Sequence, residues 1–358
     1  MKVESQKKQL KVAAVGLGWV TTNRHLVSMD ENPSYEIIGV IDRRPDRAKT
    51  IAKERGYRYF YEGDTLENVP WLDQVNTVTV GACPQSHYAL IKSALMLGKH
   101  VLTEKPFTMT VAEGEDLVAL ARKQGLTLGI VHNFQFASST QRLLQDLQSG
   151  CFGKIKSIVV QQLSNPHRRL PVWYEELPLG LFYDESPHFF YLVSRLAPGL
   201  LQFLKCDVYP STLGLVTPAA IFIQYRCDSQ ENGTIPVTIN MNFAAPVSEW
   251  HLTVYGEHYL ADIDIFRDIY IRLPNDGLHT TKTVIRTSAL ATWQHWAQHF
   301  TSGVKHLTGK LRYGNDVIFE RFSEAVAQGK NPKDISPDDA LQFLRMQHEV
   351  IQNQTVLY

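Results

Sequence analysis

Two places in the chain carry residue types that could handle a proton. The stretch GKHVLTEKPFTMT (Gly98–Thr110) sets Glu104, Lys105 and Pro106 directly after a short apolar run, His100–Thr103. Proline cannot donate to a sheet ladder, so the run ends there as a strand. A lysine at that point is either half of a solvated ion pair on a surface turn or an ammonium aimed into a crevice. In the second case it could stabilise negative charge developing on an oxygen. The other place is YDESPHFFYL, where Asp184 and His188 stand four residues apart. On a helix that spacing puts both on one face. With Asp184 near the N-cap and Pro187 in the tolerated first turn, a helix is expected to start here. His188 would then feel the helix N-terminus, which favours neutral imidazole, and Asp184, which favours imidazolium. That balance suits a group that takes up and releases a proton near neutral pH. The alternative is a capping aspartate and a packed histidine.

A third pattern points to a ligand. VGLGWVT places Gly16 and Gly18 between an apolar run and a helical pattern. In a dinucleotide fold the first glycine makes the tight turn and the second lets the backbone approach a pyrophosphate on the helix N-terminus. Thr21 stands where a third glycine is usual, which implies looser helix–strand packing. Asp42 ends the run EIIGVI, 26 residues after Gly16, a little beyond the ~20 expected for an acidic residue on the adenosine ribose. A carboxylate there accepts from both ribose hydroxyls, which favours NAD over NADP. Arg43 and Arg44 leave NADP open, since an arginine beside the ribose can pair with a 2′-phosphate.

The elements that must position these residues follow from pattern. Candidate strands at 11–16, 36–41, 76–81, 100–103 and 126–131 alternate with candidate helices such as Pro45–Arg55, Ser86–Leu97 and Val111–Gln124. That alternation implies a parallel sheet with right-handed crossovers. After about Ser149 the runs Ile155–Leu163, Thr234–Phe243, Trp250–Gly256 and Tyr259–Phe266 partly alternate and are joined by short turns, as in an antiparallel sheet. The expected fold is α/β: an N-terminal Rossmann dinucleotide-binding domain (1–132), then an α+β domain (133–358) with a large, mainly antiparallel open sheet. The 358 residues suffice for two domains. Lys+Arg and Asp+Glu both count 36, so no basic footprint argues for nucleic acid. No run of about 18 apolar residues suggests a membrane span. The polar N-terminus MKVESQKKQL lacks the apolar core of a signal peptide. Cys83, Cys151, Cys206 and Cys227 show no disulfide or metal spacing. A cytoplasmic protein is the simplest expectation.

Read together, these segments resemble the Gfo/Idh/MocA oxidoreductase family. ACPQSHYALIKSALMLGKHVLTEKP is similar to the family's T-P-x-x-x-H followed by G-K-H-V-x-x-E-K-P. HNFQFASSTQRLLQDLQSGCFGKI is similar to its N-x-R-F opening of the second domain, and YDESPHFFYL to its D-x-G-x-H. Departures are Ser186 for the glycine of D-x-G-x-H, Gln135 for the arginine of N-x-R-F, and Cys83 where threonine or proline is common. The resemblance implies chemistry by Lys105, Asp184 and His188, with Glu104 orienting the lysine and a cis Lys105–Pro106 bond. It implies cofactor contacts from Gly16, Leu17, Gly18, Trp19, Val20, Asp42, Arg43, Ala82, Cys83, Pro84, His87, Glu104, Lys105 and Asn133. Lys105, Trp173, Tyr174, Asp184 and His188 would face the substrate.

The expected function is an NAD(P)-dependent dehydrogenase or ketoreductase acting on a sugar, sugar derivative or inositol. An NAD-dependent glycosidase that oxidises its sugar transiently, or a non-catalytic dinucleotide-sensing regulator, are the alternatives. His87 reads equally as a structural residue at a helix start. Arg168 and Arg169 could hold a phosphate or carboxylate of the substrate, but read first as a solvated basic turn. His295 and His299 have zinc-compatible spacing but no third ligand, so no metal is expected. A homodimer or homotetramer through the second sheet is implied by the resemblance, and Ile223, Tyr225, Ile239 and Phe243 read as apolar surface beyond one core's need.

Overall fold

The computed structural model describes residues 9–168 and 170–357. Most of the N-terminal segment read for a leader, and Arg169, lie outside the described residues. The chain divides into two compact units. One runs to Asn133 and includes Gly314–Arg345; the other is Phe134–Tyr313 with the residues from Met346 onward.

The first unit is built on six parallel strands: β1 (Leu10–Val15), β2 (Tyr35–Asp42), β3 (Tyr59–Glu62), β4 (Thr77–Val80), β5 (His100–Thr103) and β6 (Leu128–Ile130). Their order is β3-β2-β1-β4-β5-β6. The chain direction of the strand order reverses between β1 and β4, so the crevice where such sheets bind ligands opens beyond the ends of those two strands. α1 (Leu26–Asp30), α2 (Arg47–Arg55), α3 (Pro84–Met96) and α4 (Val111–Gln124) supply the crossovers. α4 starts where a Thr110–Glu113 capping box satisfies its first N–H groups. β4 is buried at every position, as a strand covered on both faces should be. β3, absent from the expected set, is an edge strand of four residues with alternating exposure, too short to stand out as a run.

The second unit carries β7 (Ile155–Leu163), β8 (Leu200–Tyr209), β9 (Ala220–Ser229), β10 (Gly233–Asn242), β11 (Glu249–Gly256), β12 (Tyr259–Asp264), β13 (Ile269–Pro274) and β14 (Gln354–Val356). They form one sheet in the order β13-β12-β11-β7-β10-β9-β8-β14. Pairing is antiparallel except for β7 with β10 and β8 with β14. This unit carries α5 (Ser138–Gln148), α6 (Leu181–Leu196) and α7 (Thr281–Leu307). One face of the sheet is dry: Ile235, Val237, Ile239 and Met241 alternate with more exposed neighbours along β10. Ile223, Tyr225, Ile239 and Phe243 are all buried within the single chain. The expectation that they form spare apolar surface is therefore corrected: they are core. α7 instead shields the sheet's edge. Gln294 accepts from the Arg272 N–H and donates to its carbonyl, and Gln298 does the same for Tyr270, so two side chains one turn apart occupy the free groups of β13.

α8 (Asn315–Gln328) and α9 (Pro337–Gln352) close the chain. In the first unit Phe322 packs over Gly129, and Leu341 and Leu344 over Gly114, where a Cβ would stand only 3.0 to 3.3 Å from those side chains.

α6 begins three residues before the expected start. Its N-cap is Gly180, at φ 56°, and the Leu181 N–H donates to Thr217 Oγ1 at 2.9 Å. Asp184 is thus inside the first turn, and Pro187 inside the helix. A proline there removes the bond to the carbonyl four residues back. That carbonyl, on Tyr183, accepts instead from the fully buried Gln347 side chain at 2.7 Å, which also donates to Ser186 Oγ at 2.8 Å. Gln347→Leu should cost about 1–3 kcal/mol in denaturant unfolding, because both acceptors lose their donor in a dry site. Adding Pro187→Ala restores the helical N–H and should recover part of the loss. Unchanged stability in Gln347→Leu, or no recovery in the double variant, contradicts this reading.

Candidate active site

The glycine turn follows β1. Gly16 sits at φ 80°, and a Cβ there would lie 2.5 Å from the Ala82 nitrogen, so only glycine fits. At Gly18 a Cβ would meet only Gly81 O, at 3.9 Å. That face of the turn is open, as close approach of a pyrophosphate requires. Trp19 and Val20 follow with 63% and 42% of their surface exposed. Thr21, in place of the third glycine, is buried against Gly81, where a Cβ would collide with its hydroxyl. The helix widens at that point into a π-turn, Thr21–His25. The looser packing expected from Thr21 takes this form, with Gly81 supplying the missing space.

Asp42 ends β2 and is buried. Its Oδ2 accepts from the Leu17 N–H at 2.7 Å and from Arg44 Nη2 at 2.7 Å. Its Oδ1 accepts from the Arg44 N–H at 2.9 Å and Nε at 2.8 Å. Burial works to raise this carboxyl, but the bonds from Arg44 and Leu17 hold it below the usual carboxylate range. Arg43, next to it, is exposed.

Beyond β5, Glu104 is paired with buried His25 at 2.7 Å and accepts the Lys105 N–H at 3.1 Å. Burial opposes its charge, yet His25 and Lys105 keep its carboxyl below the ordinary range. Lys105–Pro106 is a cis peptide, as the resemblance implies, and Lys105 is half-buried. His87, in the first turn of α3, lies 2.8 Å from Pro106 O and 3.1 Å from Ala82 O. It ties the Ala82–Cys83–Pro84 loop to the lysine turn from a fully buried position, and burial pushes its imidazole toward the neutral form. Asn133 is buried just past β6.

In the second unit, α6 holds Asp184 and His188, both buried. His188 is two turns into the helix, beyond the first-turn reach of terminus electrostatics, which corrects the expected influence of the helix end. Its Nδ1 lies 2.8 Å from Tyr191 Oη, which accepts the Phe134 N–H at 3.0 Å. The rings of Phe134 and Trp250 lie 4.8 and 5.5 Å from the imidazole centroid. Tyr174 sits on a short turn, Val172–Glu176, with its ring 4.1 Å from that of Trp173. Burial, then the charges of Asp184 and Glu185, push the Tyr174 phenol far up, so it stays a proton donor and hydrogen-bonds Asp184. Arg168 is not a solvated turn residue: it pairs with Glu185, which also accepts from Gln162.

Sequence reasoning missed Tyr191, His25 and the Arg168–Glu185 pair. Tyr191 had a signal, lying three residues after His188 on one helix. His25 lies 79 residues from Glu104 and had none. His295 and His299 stack on α7, and among the described residues no group of three or more His, Cys, Asp or Glu is arranged for a metal ion. Among the described residues, too, no helix is long and apolar enough to cross a membrane.

Comparison with known proteins places this geometry. Residues 10–132 match the Gfo/Idh/MocA oxidoreductase family, NAD-binding Rossmann fold. The match falls on the part of the chain where the motifs place a dinucleotide-binding domain. An uncharacterized oxidoreductase of Synechocystis is 30% identical over 180 residues, covering 49% of this chain and 47% of that protein. The dTDP-3,4-didehydro-2,6-dideoxy-alpha-D-glucose 3-reductase of Actinomadura kijaniata is 35% identical over 153 residues, covering 41% and 44%. The chain spans about half the length of the curated relatives it matches. Among solved structures, a 3-ketoreductase from Actinomadura kijaniata in complex with NADP and TDP-benzene superposes with a TM-score of 0.72 at 19% identity, covering 98% of this chain and 99% of that one. A protein of gentamicin A biosynthesis in complex with NAD reaches 0.76 at 17% identity, covering 97% and 94%. At these identities the likeness establishes the two-part fold.

His132 offers a test of how dry the interior behind the Glu104–Lys105 turn is. Burial pulls its imidazole down to about 3, against a smaller upward pull from Glu104. In the unfolded chain it titrates near 6.5. As pH falls below that value the unfolded state takes up a proton that the folded state refuses. Stability present at neutral pH is then lost at about 1.4 kcal/mol per pH unit. Denaturant unfolding from pH 7 to 5 should show a shallower loss in His132→Asn than in the unmodified protein. Equal slopes contradict the burial of a neutral imidazole.

Proposed function

We propose that the protein is an NAD(P)-dependent dehydrogenase or ketoreductase acting on a secondary alcohol or ketone of a sugar, sugar derivative or inositol. Residues 1–132 would hold the dinucleotide and 133–358 the carbohydrate. The observation that carries this reading is a lysine at the end of β5, its neighbour Glu104 fixed by His25, in an NAD-binding Rossmann fold with an open glycine turn. Relatives support the substrate class. Curated matches include the 3-reductase above, a D-glucoside 3-dehydrogenase from Escherichia coli and a UDP-N-acetylglucosamine 3-dehydrogenase from Acidithiobacillus ferrooxidans. All three names place the reaction at carbon 3 of a hexose, and the same carbon is proposed here.

The dinucleotide supplies the hydride acceptor or donor when bound. The Gly16–Val20 turn, Ala82–Pro84, His87, Glu104, Lys105 and Asn133 are the groups proposed to surround it. The Lys105 ammonium would bond the substrate oxygen and stabilise its developing charge. His188, its ring held through Nδ1 against Tyr191 Oη, would take up the hydroxyl proton in oxidation and return it in reduction. Asp184, held by Tyr174, would orient the substrate and the histidine, with Trp173 walling the site.

His188→Ala should lower turnover about 10²- to 10⁴-fold, the usual range for a general base. Lys105→Ala should lose a comparable amount while dinucleotide affinity changes less, and Asp184→Asn should do less damage. Steady-state kinetics on 3-keto and 3-hydroxy hexopyranosides, beside dinucleotide titration, reads all three. Near-normal turnover in both His188→Ala and Lys105→Ala contradicts the assignment. A homodimer or homotetramer is proposed as well. The described apolar residues left exposed include Ile285, Trp293, Trp296 and Phe300 on α7 and Leu204 and Phe222 on the second sheet. Light scattering at micromolar concentration should show more than a monomer; monomer alone contradicts it.

A further inference from the structure

The geometry points to NADP(H) as the preferred dinucleotide, with Arg44 and Arg47 holding its 2′-phosphate and Asp42 serving as a positioning residue for Arg44. This deepens the dinucleotide reading above and rests on it. An ionised carboxylate offers about four lone-pair sites. At Asp42 four donors fill them, all from the protein: Leu17 N–H and three groups of Arg44. The side chain is only 4% exposed. It has no capacity left for two ribose hydroxyls.

The guanidinium it carries is the group that faces outward. Arg44 keeps 55% of its side-chain surface exposed while both Nε and Nη2 are clamped on Asp42. Nη2 also donates to Leu17 O at 3.0 Å, which pins the fork against the glycine turn. Arg47 Nε donates to the same carbonyl oxygen at 3.1 Å. Two guanidinium groups therefore converge on one atom of the turn, and one of them shares its charge with a single buried carboxylate. A planar fork held rigid by a bidentate carboxylate loses little freedom when it binds a phosphate. Arg44 Nη1 and both Nη atoms of Arg47 remain as donors for that phosphate. Arg43, exposed beside them, adds positive potential.

The test is calorimetric titration of the apo protein with NADPH, NADH, adenosine 2′,5′-diphosphate and AMP. NADPH should bind at least about 10-fold tighter than NADH, and the diphosphate tighter than AMP, as one or two charge-assisted hydrogen bonds imply. Arg44→Ala should remove most of that preference, NADPH losing far more affinity than NADH. Asp42→Asn should weaken NADPH, because Arg44 loses its anchor. A carboxylate that binds ribose would behave in the opposite way, its removal weakening NADH and strengthening NADPH. NADH binding as tightly as NADPH, or an Arg44→Ala protein with its preference intact, overturns the inference and leaves the dinucleotide reading standing. Binding of neither dinucleotide overturns both.

Discussion

The bond from the Leu17 N–H to Asp42, 2.7 Å long, joins the glycine turn to the end of the second strand. Much of the first unit's mouth depends on it. The turn must leave its strand sharply; Gly16 N–H still donates to Ile41 O and Gly18 O accepts the Thr22 N–H, so the two backbone groups of Leu17 are the ones that side chains take up. Asp42 takes the N–H of Leu17, while Arg44 and Arg47 take the carbonyl. The peptide groups on either side of Leu17 are then fixed by side chains that descend from β2 and α2. With the turn held from behind, its open face at Gly18 is free for a ligand.

The same logic recurs wherever the chain breaks a local rule. Thr21 is too large for the usual close packing of helix on strand, and the helix answers with a wider turn while Gly81 gives up a side chain. Pro187 deprives Tyr183 of a helical donor, and Gln347 supplies one from α9. Gly180 enters α6 with a positive φ, and Thr217 caps the Leu181 N–H from a distant loop. Each departure from propensity is met by one residue far away in sequence. Such compensation lets a helix carrying Asp184, His188 and a proline persist in a buried position, where the ring of His188 is held by Tyr191 rather than by solvent.

The strands of the first unit were legible because a parallel sheet covered on both faces writes itself as solid apolar runs, as in β1, β2 and β4. β3 was not, since alternation over four residues is no stronger than chance. In the second unit β7, β10, β11 and β12 showed through partial alternation. β8 and β9 did not stand out, because polar and charged residues such as Lys205, Asp207, Arg226 and Asp228 interrupt them. The start of α6 was misplaced because Pro187 reads as a first-turn residue unless Gln347 is known to be near. Lys105, Asp184 and His188 could be nominated from residue type and order. The partners that hold them, His25 on Glu104 and Tyr191 with Phe134 on His188, depend on contacts that no spacing announces. Arg168 was misread for the same reason, its carboxylate partner being supplied by a helix 17 residues away.

The central claim is that this chain moves a hydride to and from a carbohydrate carbon. The most direct measurement loads the protein with oxidised dinucleotide and supplies hexopyranosides deuterated at the ring carbinol carbons, then reads the dinucleotide by mass spectrometry. The account predicts reduced nicotinamide carrying one deuterium from carbon 3. Reduced nicotinamide without deuterium, or no reduction with any sugar or inositol while the dinucleotide stays bound, would contradict it.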